Sequence, residues 1–152
     1  MQSPINRRQS IAALALSAVG LVTIAIHEGY RNRAYKDTVG VSTIGFGTTK
    51  GVKMGDKITP PKALQRTLSD IQKYEGAVKK CVKVPLYQYE YDAYMDFAYN
   101  IGTTKFCSST LVKKLNKEDY YGACKEILRW VKQPELKQRR QDEYRMCIGD
   151  SK

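Results

Sequence analysis

The sequence predicts an α+β protein in which helix dominates. It has a helix near the N-terminus, a small β-hairpin lobe, a long connecting helix and a helical C-terminal lobe. Three observations carry that prediction. Residues 35–48 combine a turn tetrad with a β-branched alternating run. Thr59-Pro60-Pro61 opens a stretch with apolar residues at helical spacing. Beyond it, shorter helical patterns are punctuated by Pro85, Gly102 and Pro134. At 152 residues the chain has room for one domain built as two lobes around a shared cleft.

The first element is unusual. Arg7 and Arg8 precede an uncharged run from Ile11 to Ile26, in which eight of sixteen residues are large aliphatics. If the whole uncharged stretch from Gln9 to His27 were helical it would span about 28 Å, close to the hydrocarbon thickness of a bilayer. The basic residues in front place the N-terminus in the cytoplasm and send the rest across the membrane. Three membrane readings compete: a cleaved signal peptide with weak sites after Gly20 or Ala25, a lasting anchor, and a marginal anchor that later leaves the bilayer. A buried core helix is the alternative without a membrane. The chain accordingly divides into a membrane-active segment, residues 1–27, and a folded domain, residues 28–152.

The hairpin follows. Asp37-Thr38-Val39-Gly40 has Asp at the first turn position and Gly at the fourth, and Val41-Ser42-Thr43-Ile44 reads as a strand. Gly45 and Gly47 flank Phe46, which predicts close backbone approach or positive φ. The long helix is expected from Pro61 to Lys80, with Leu64, Leu68, Ile71, Tyr74 or Glu75, and Val78 recurring along it. Pro85 is expected to start a helix that Gly102 stops. Further helices are expected at Ser109–Leu115, Glu118–Val131 and Pro134–Cys147.

With 42% hydrophobic and 27% charged residues the chain folds around a real core. A net charge of +11 favours a polyanionic partner, whether nucleic acid, anionic lipid or bacterial cell wall. No helix-turn-helix, zinc or RNA-recognition signature supports nucleic acid, so none is expected. The four cysteines, Cys81, Cys107, Cys124 and Cys147, are too widely spaced for a zinc site. No metal or cofactor is expected. Two disulfides would suit a periplasm, and four reduced core thiols would suit a cytosol. The disulfide pairing favoured is Cys124–Cys147, joining two late helices, with Cys81–Cys107; three pairings are possible.

For chemistry, Glu28 ends the apolar run, Asp37 lies nine residues on and Thr43 six further. Cleaving a glycosidic bond needs one protonated and one ionised carboxyl facing each other. Partial burial at a helix end would keep Glu28 protonated, whereas Asp37 in a polar turn stays ionised. Spacing alone does not separate this pair from ordinary surface carboxylates.

The surrounding residues do. His27–Gly51 resembles the active-site region of the T-even phage lysozymes and their relatives, glycoside hydrolase family 24. Three clusters carry the likeness: Glu28-Gly29, Tyr35-Lys36-Asp37-Thr38, and Thr43-Ile44-Gly45-Phe46-Gly47. It continues through Val84–Gly102, Ser108–Asn116 and the basic helix around Arg139-Arg140. The resemblance implies a lysozyme-like fold and an endolysin, with the family's catalytic Glu, Asp and Thr falling on Glu28, Asp37 and Thr43. It implies hydrolysis of the β-1,4 link between N-acetylmuramic acid and N-acetylglucosamine, with inversion. It also implies that Arg140 orients Glu28 and that Tyr99 and Asn100 touch sugar, although Arg140 could equally be a solvated base and Tyr99 core. The N-terminal run resembles the signal-arrest-release segment of certain endolysins, so the partners expected are peptidoglycan and, before release, the host inner membrane. The periplasm follows release, and the protein is expected to be a monomer. One departure stands out: where the family often has His after Gly-x-Gly, this chain has Thr48, so an ion pair of some relatives is lost. His27 is expected to be a bystander. The rival reading is a cationic membrane-disrupting or wall-binding protein without catalysis.

Overall fold

The structure, a computed structural model, describes residues 7–150, and two compact units emerge. One comprises Leu21–Lys73; the other comprises the N-terminal residues through Gly20 together with Tyr74 onward.

The N-terminal run is not one long helix. Gln9 pairs with Leu86 in an antiparallel bridge, Ile11–Ala13 form a 3₁₀ turn, and the chain is then non-helical up to α1 (Ala18–Glu28). Polar partners on the body break the run. Glu90, 2% exposed, accepts both Arg8 Nε (3.0 Å) and Nη2 (3.1 Å). The Arg8 guanidinium also lies over Tyr120, 3.5 Å from the ring centroid, and over Tyr87 at 4.5 Å. Asp92 accepts the Ser17 N–H at 3.1 Å and its hydroxyl, while Ser17 Oγ accepts the Gly20 N–H at 3.1 Å. A carboxylate and a serine oxygen thus serve the amide groups that α1 leaves unpaired at its start. Gly20 is required there, because a Cβ would stand 2.8 Å from the Asp92 carboxyl. Among the described residues no helix is long and apolar enough to cross a membrane.

In the unit Leu21–Lys73, β1 (Arg31–Lys36) pairs antiparallel with β2 (Ser42–Gly45), matching Tyr35 to Thr43 and Lys36 to Ser42. The first strand starts four residues before the expected hairpin region, with an irregularity between Arg31 and Tyr35. Asp37 Oδ1 accepts the N–H of Val39 (3.0 Å) and of Val41 (2.8 Å), which closes the turn that the Asp–Gly tetrad predicts. Gly45 and Gly47 have φ of +65° and +87°, the conformation for which the sequence reserves glycine.

The long helix α2 runs Pro60–Cys81, one residue beyond the expected range at each end. Its buried face is not the one the leucines mark. Ala63, Thr67, Ile71 and Val78 are inside, whereas Leu64 and Leu68 are 41% and 46% exposed. The hairpin approaches so closely that a Cβ on Gly45 would sit 3.0 Å from the Ala63 methyl, and only a small residue fits that contact.

The other unit is helical. α3 (Gln88–Ile101) starts later than Pro85, because Leu86 is engaged by Gln9 and Tyr87 caps the helix, its N–H bonded to Glu90 Oε1 at 2.7 Å. Gly102, φ +91°, ends it as expected. Next come α4 (Thr103–Cys107), which the sequence reading missed, and α5 (Thr110–Asn116), capped by Ser109. The helix expected at Glu118–Val131 is shorter: Glu118 is left-handed at φ 64°, Asp119 caps α6 (Tyr120–Glu126), and a 3₁₀ turn completes it. α7 (Leu136–Cys147) closes the fold. Tyr91, Tyr94, Met95, Phe97 and Phe106 are buried to 0% exposure with Leu111, Leu115 and Ile127, and Trp130 packs edge-on to Phe97 at 5.7 Å. Both favoured disulfides form, Cys81–Cys107 and Cys124–Cys147. Closing loops of 26 and 23 residues, each restricts the unfolded chain enough to stabilise the fold by about 3 kcal/mol.

Candidate active site

All three residues read as catalytic lie in the unit Leu21–Lys73. Glu28 is the last residue of α1 and is half-buried. Gly29 leaves the helix with φ +71°, and the chain turns into β1. The Glu28 carboxyl lies against Gly47: a Cβ there would stand 2.8 Å from Oε2 and 3.3 Å from Cδ. The second glycine of Gly45-Phe46-Gly47 therefore serves two ends, a left-handed backbone and room for the acid. Tyr30 packs its ring on Phe46, 5.4 Å between centroids, and donates its hydroxyl to Ile58 O at 2.8 Å.

Asp37 and Thr43 are tied together through Val41. The Val41 N–H donates to Asp37 Oδ1 at 2.8 Å, and the Val41 carbonyl accepts both the Asp37 N–H (2.9 Å) and the Thr43 hydroxyl (2.9 Å). Two backbone donors thus occupy Asp37 Oδ1. Thr43, 4% exposed, spends its only hydroxyl proton on Val41, so its oxygen can only accept from a further molecule. A water donating one proton to Asp37 and the other to Thr43 would have its lone pair fixed in direction. Chemically, the unit supplies a half-buried carboxyl on a helix end and an acceptor pair on a hairpin.

Thr48, where a histidine is common in the resembling family, is 2% exposed and donates to Asp70 Oδ2 at 3.2 Å. A hydroxyl-to-carboxyl hydrogen bond stands where the family's histidine would form its ion pair. It links the end of the hairpin region to α2.

The looser expectations fall in the helical unit. Tyr99 is 9% exposed and its ring tilts on Tyr74, 4.9 Å between centroids. Asn100 is half-buried, and its oxygen accepts from Arg140 Nη2. Arg140 is no solvated base: it is 1% exposed, with Nε to Trp130 O at 2.9 Å, Nη1 to Glu143 at 2.7 Å, and Phe97 beneath the guanidinium at 5.0 Å. Sequence reasoning missed its surroundings. Arg139 binds Glu143 and Asp96, each at 3.3 Å, which makes a buried group of two guanidinium and two carboxyl side chains. Burial first, then the neighbouring Asp96, raises the Glu143 carboxyl well above the usual carboxylate range, against the pull of both arginines. The spacing of Glu143 three and four residues after Arg140 and Arg139 was the available signal.

These features define a mainly helical protein with a small antiparallel hairpin, the fold of lysozymes, and known proteins agree. The phage lysozyme family profile matches residues 25–143. An endolysin of Acyrthosiphon pisum secondary endosymbiont phage 1 is 42% identical over 117 residues, covering 77% of this chain and 80% of its own. An SAR-endolysin of Pseudomonas phage phiKMV is 41% identical over 128 residues, 84% of this chain and 78% of its own. In three dimensions the endolysin of Escherichia coli O157:H7 phage FAHEc1 superposes with a TM-score of 0.83 at 37% identity, covering 93% of this chain and 96% of that one. The chain belongs to the phage lysozyme family. It is a glycosidase of lysozyme type and a peptidoglycan-lysing endolysin.

Proposed function

We propose that Glu28 is the proton donor and that Asp37 and Thr43 position the attacking water, in an inverting hydrolysis of the β-1,4 bond between N-acetylmuramic acid and N-acetylglucosamine. On this reading the chain is a T-even type lysozyme of glycoside hydrolase family 24, which the clusters Glu28-Gly29, Tyr35-Lys36-Asp37-Thr38 and Thr43-Ile44-Gly45-Phe46-Gly47 support. The observation that carries the reading is the shared anchoring of Asp37 and Thr43 on the Val41 peptide groups, which leaves acceptors and no donor for a water. Water held this way attacks the anomeric carbon directly, so the new hydroxyl has the opposite configuration to the bond cut. Proton NMR of freshly released fragments is expected to show the α-anomer before mutarotation. An initial β-anomer would mean a covalent intermediate and would remove water activation from Asp37. Tyr99 and Asn100 are proposed as secondary groups serving substrate binding, with buried Arg140 as the residue that holds Asn100 in position.

We further infer that residues 1–27 act as a signal-arrest-release segment, holding the enzyme at the host inner membrane before it works in the periplasm as a monomer. Val19, Val22 and Ile26 form a stripe on α1 at 69%, 56% and 72% exposure. An apolar stripe of that exposure suits a helix that must first sit in lipid. Collapsing the membrane potential of cells carrying the full-length protein is expected to trigger lysis, with the N-terminal residues still present by mass. Lysis timing unaffected by depolarisation, together with a cleaved N-terminus, overturns this.

A further inference from the structure

We propose that the basic surface of β1, formed by Arg31 and Arg33 with Lys57, binds the carboxylates of the peptide stems that branch from peptidoglycan strands. The inference rests on peptidoglycan as the substrate and names which part of it this surface reads. An open groove of about 380 Å³ is lined by the residues from Tyr30 to Tyr35. Arg31, Arg33 and Lys57 are all exposed.

Their arrangement is costly without an anion. Arg33 and Lys57 are direct partners across an isolated antiparallel bridge, and like charges directly opposite each other destabilise such a pair. Among the described residues none of the three cations has an acidic partner. Elsewhere in this chain basic side chains do find acids, as in Arg8–Glu90, Arg129–Glu126 and Arg139–Asp96. The acid next to Lys57 in sequence, Asp56, accepts the Lys53 N–H through Oδ2 at 2.9 Å.

The surface is also ordered in advance. Arg31 lies over the Tyr35 ring, 4.4 Å from its centroid, which fixes the guanidinium plane and leaves its N–H groups free. Two bonds to the segment 56–58 flank the Arg33–Lys57 bridge and hold the strand, Ala34 N–H to Asp56 O at 3.0 Å and Ile58 N–H to Asn32 O at 2.9 Å. A planar fork beside two further cations suits carboxylates in pairs, the chemistry of acidic stem peptides. Tyr35 pairs directly with Thr43, so this strand is continuous with the proposed water-binding pair. A stem gripped here would hold its own strand beside the hairpin.

The test compares two soluble substrates: glycan fragments with their peptide stems, and the same fragments stripped of peptides by an amidase. In the triple variant Arg31→Gln, Arg33→Gln, Lys57→Gln, the KM on stem-bearing fragments is expected to rise about tenfold. The kcat on that substrate and kcat/KM on stripped strands are expected to stay at the wild-type value. Equal losses on both substrates, or no change on either, overturn the inference. So does a variant that loses binding to phosphatidylglycerol vesicles but keeps its KM, since that assigns the surface to lipid. A wild-type protein inert on both substrates would instead refute the glycosidase reading beneath it.

Discussion

Glu28→Gln is expected to lower the release of reducing ends from purified cell walls by about a thousandfold, the middle of the range for a lost general acid. The thermal midpoint should stay close to that of the wild type. Gln keeps the shape of Glu and can still occupy the half-buried site against Gly47, so the fold has little to lose. What it cannot do is deliver a proton to a departing sugar. Gly47→Ala is the companion variant. It keeps the carboxyl but puts a methyl 2.8 Å from Oε2 and forces a φ of +87° on a residue with a Cβ. Activity should fall there too, through misplacement of an acid that is still present. Wild-type turnover by the Glu28→Gln protein would take Glu28 out of the mechanism. Killing that persists without turnover would favour the cationic membrane-disrupting alternative.

Local rules fixed what local chemistry decides. Asp37 and Gly40 made a turn because an Asx oxygen and a positive-φ glycine leave little choice. Gly45 and Gly47 were legible for the same reason, and so was Gly102. What escaped were features set by partners distant in sequence. The run from Gln9 to His27 reads as one helix until Glu90 and Asp92, some eighty residues away, supply acceptors that stop it. Leu64 and Leu68 fit a helical stripe, yet the close approach of Gly45 selected the face carrying Ala63. The β1 strand began early because its bridge to Lys57 could not be read from alternation alone. Arg140 left two readings open, a positioning group and a solvated base, because a run of charged residues in α7 hides which of them point inward. Of the site, identities came from motif spacing, while the Val41 anchoring that relates Asp37 to Thr43 needed coordinates.

That buried group of charges yields the second large effect. Arg140→Ala is expected to destabilise the fold by about 3–5 kcal/mol, because it takes from buried Glu143 the nearer of its two guanidinium partners and leaves the Trp130 carbonyl and the Asn100 amide oxygen without their donor. For a chain of this size that corresponds to a fall in thermal midpoint of roughly 10 °C. The size of the loss should depend on pH, and the sign follows from Glu143. Its carboxyl titrates well above the usual range, since burial and Asp96 disfavour the ionised form. A group with a raised pKa contributes stability that is fully present below its unfolded value and is lost as pH rises through its folded value. In acid, Glu143 keeps its proton and Asp96 is still served by Arg139, so the missing guanidinium costs least. As pH rises past the raised value, Glu143 ionises without Arg140 beside it and the penalty grows. Glu143→Gln, neutral at every pH, should remove that slope in both the wild-type and the Arg140→Ala backgrounds. Unfolding curves taken from pH 4 to 8 test this: a penalty for Arg140→Ala that is the same throughout would show that the proton is not held on Glu143.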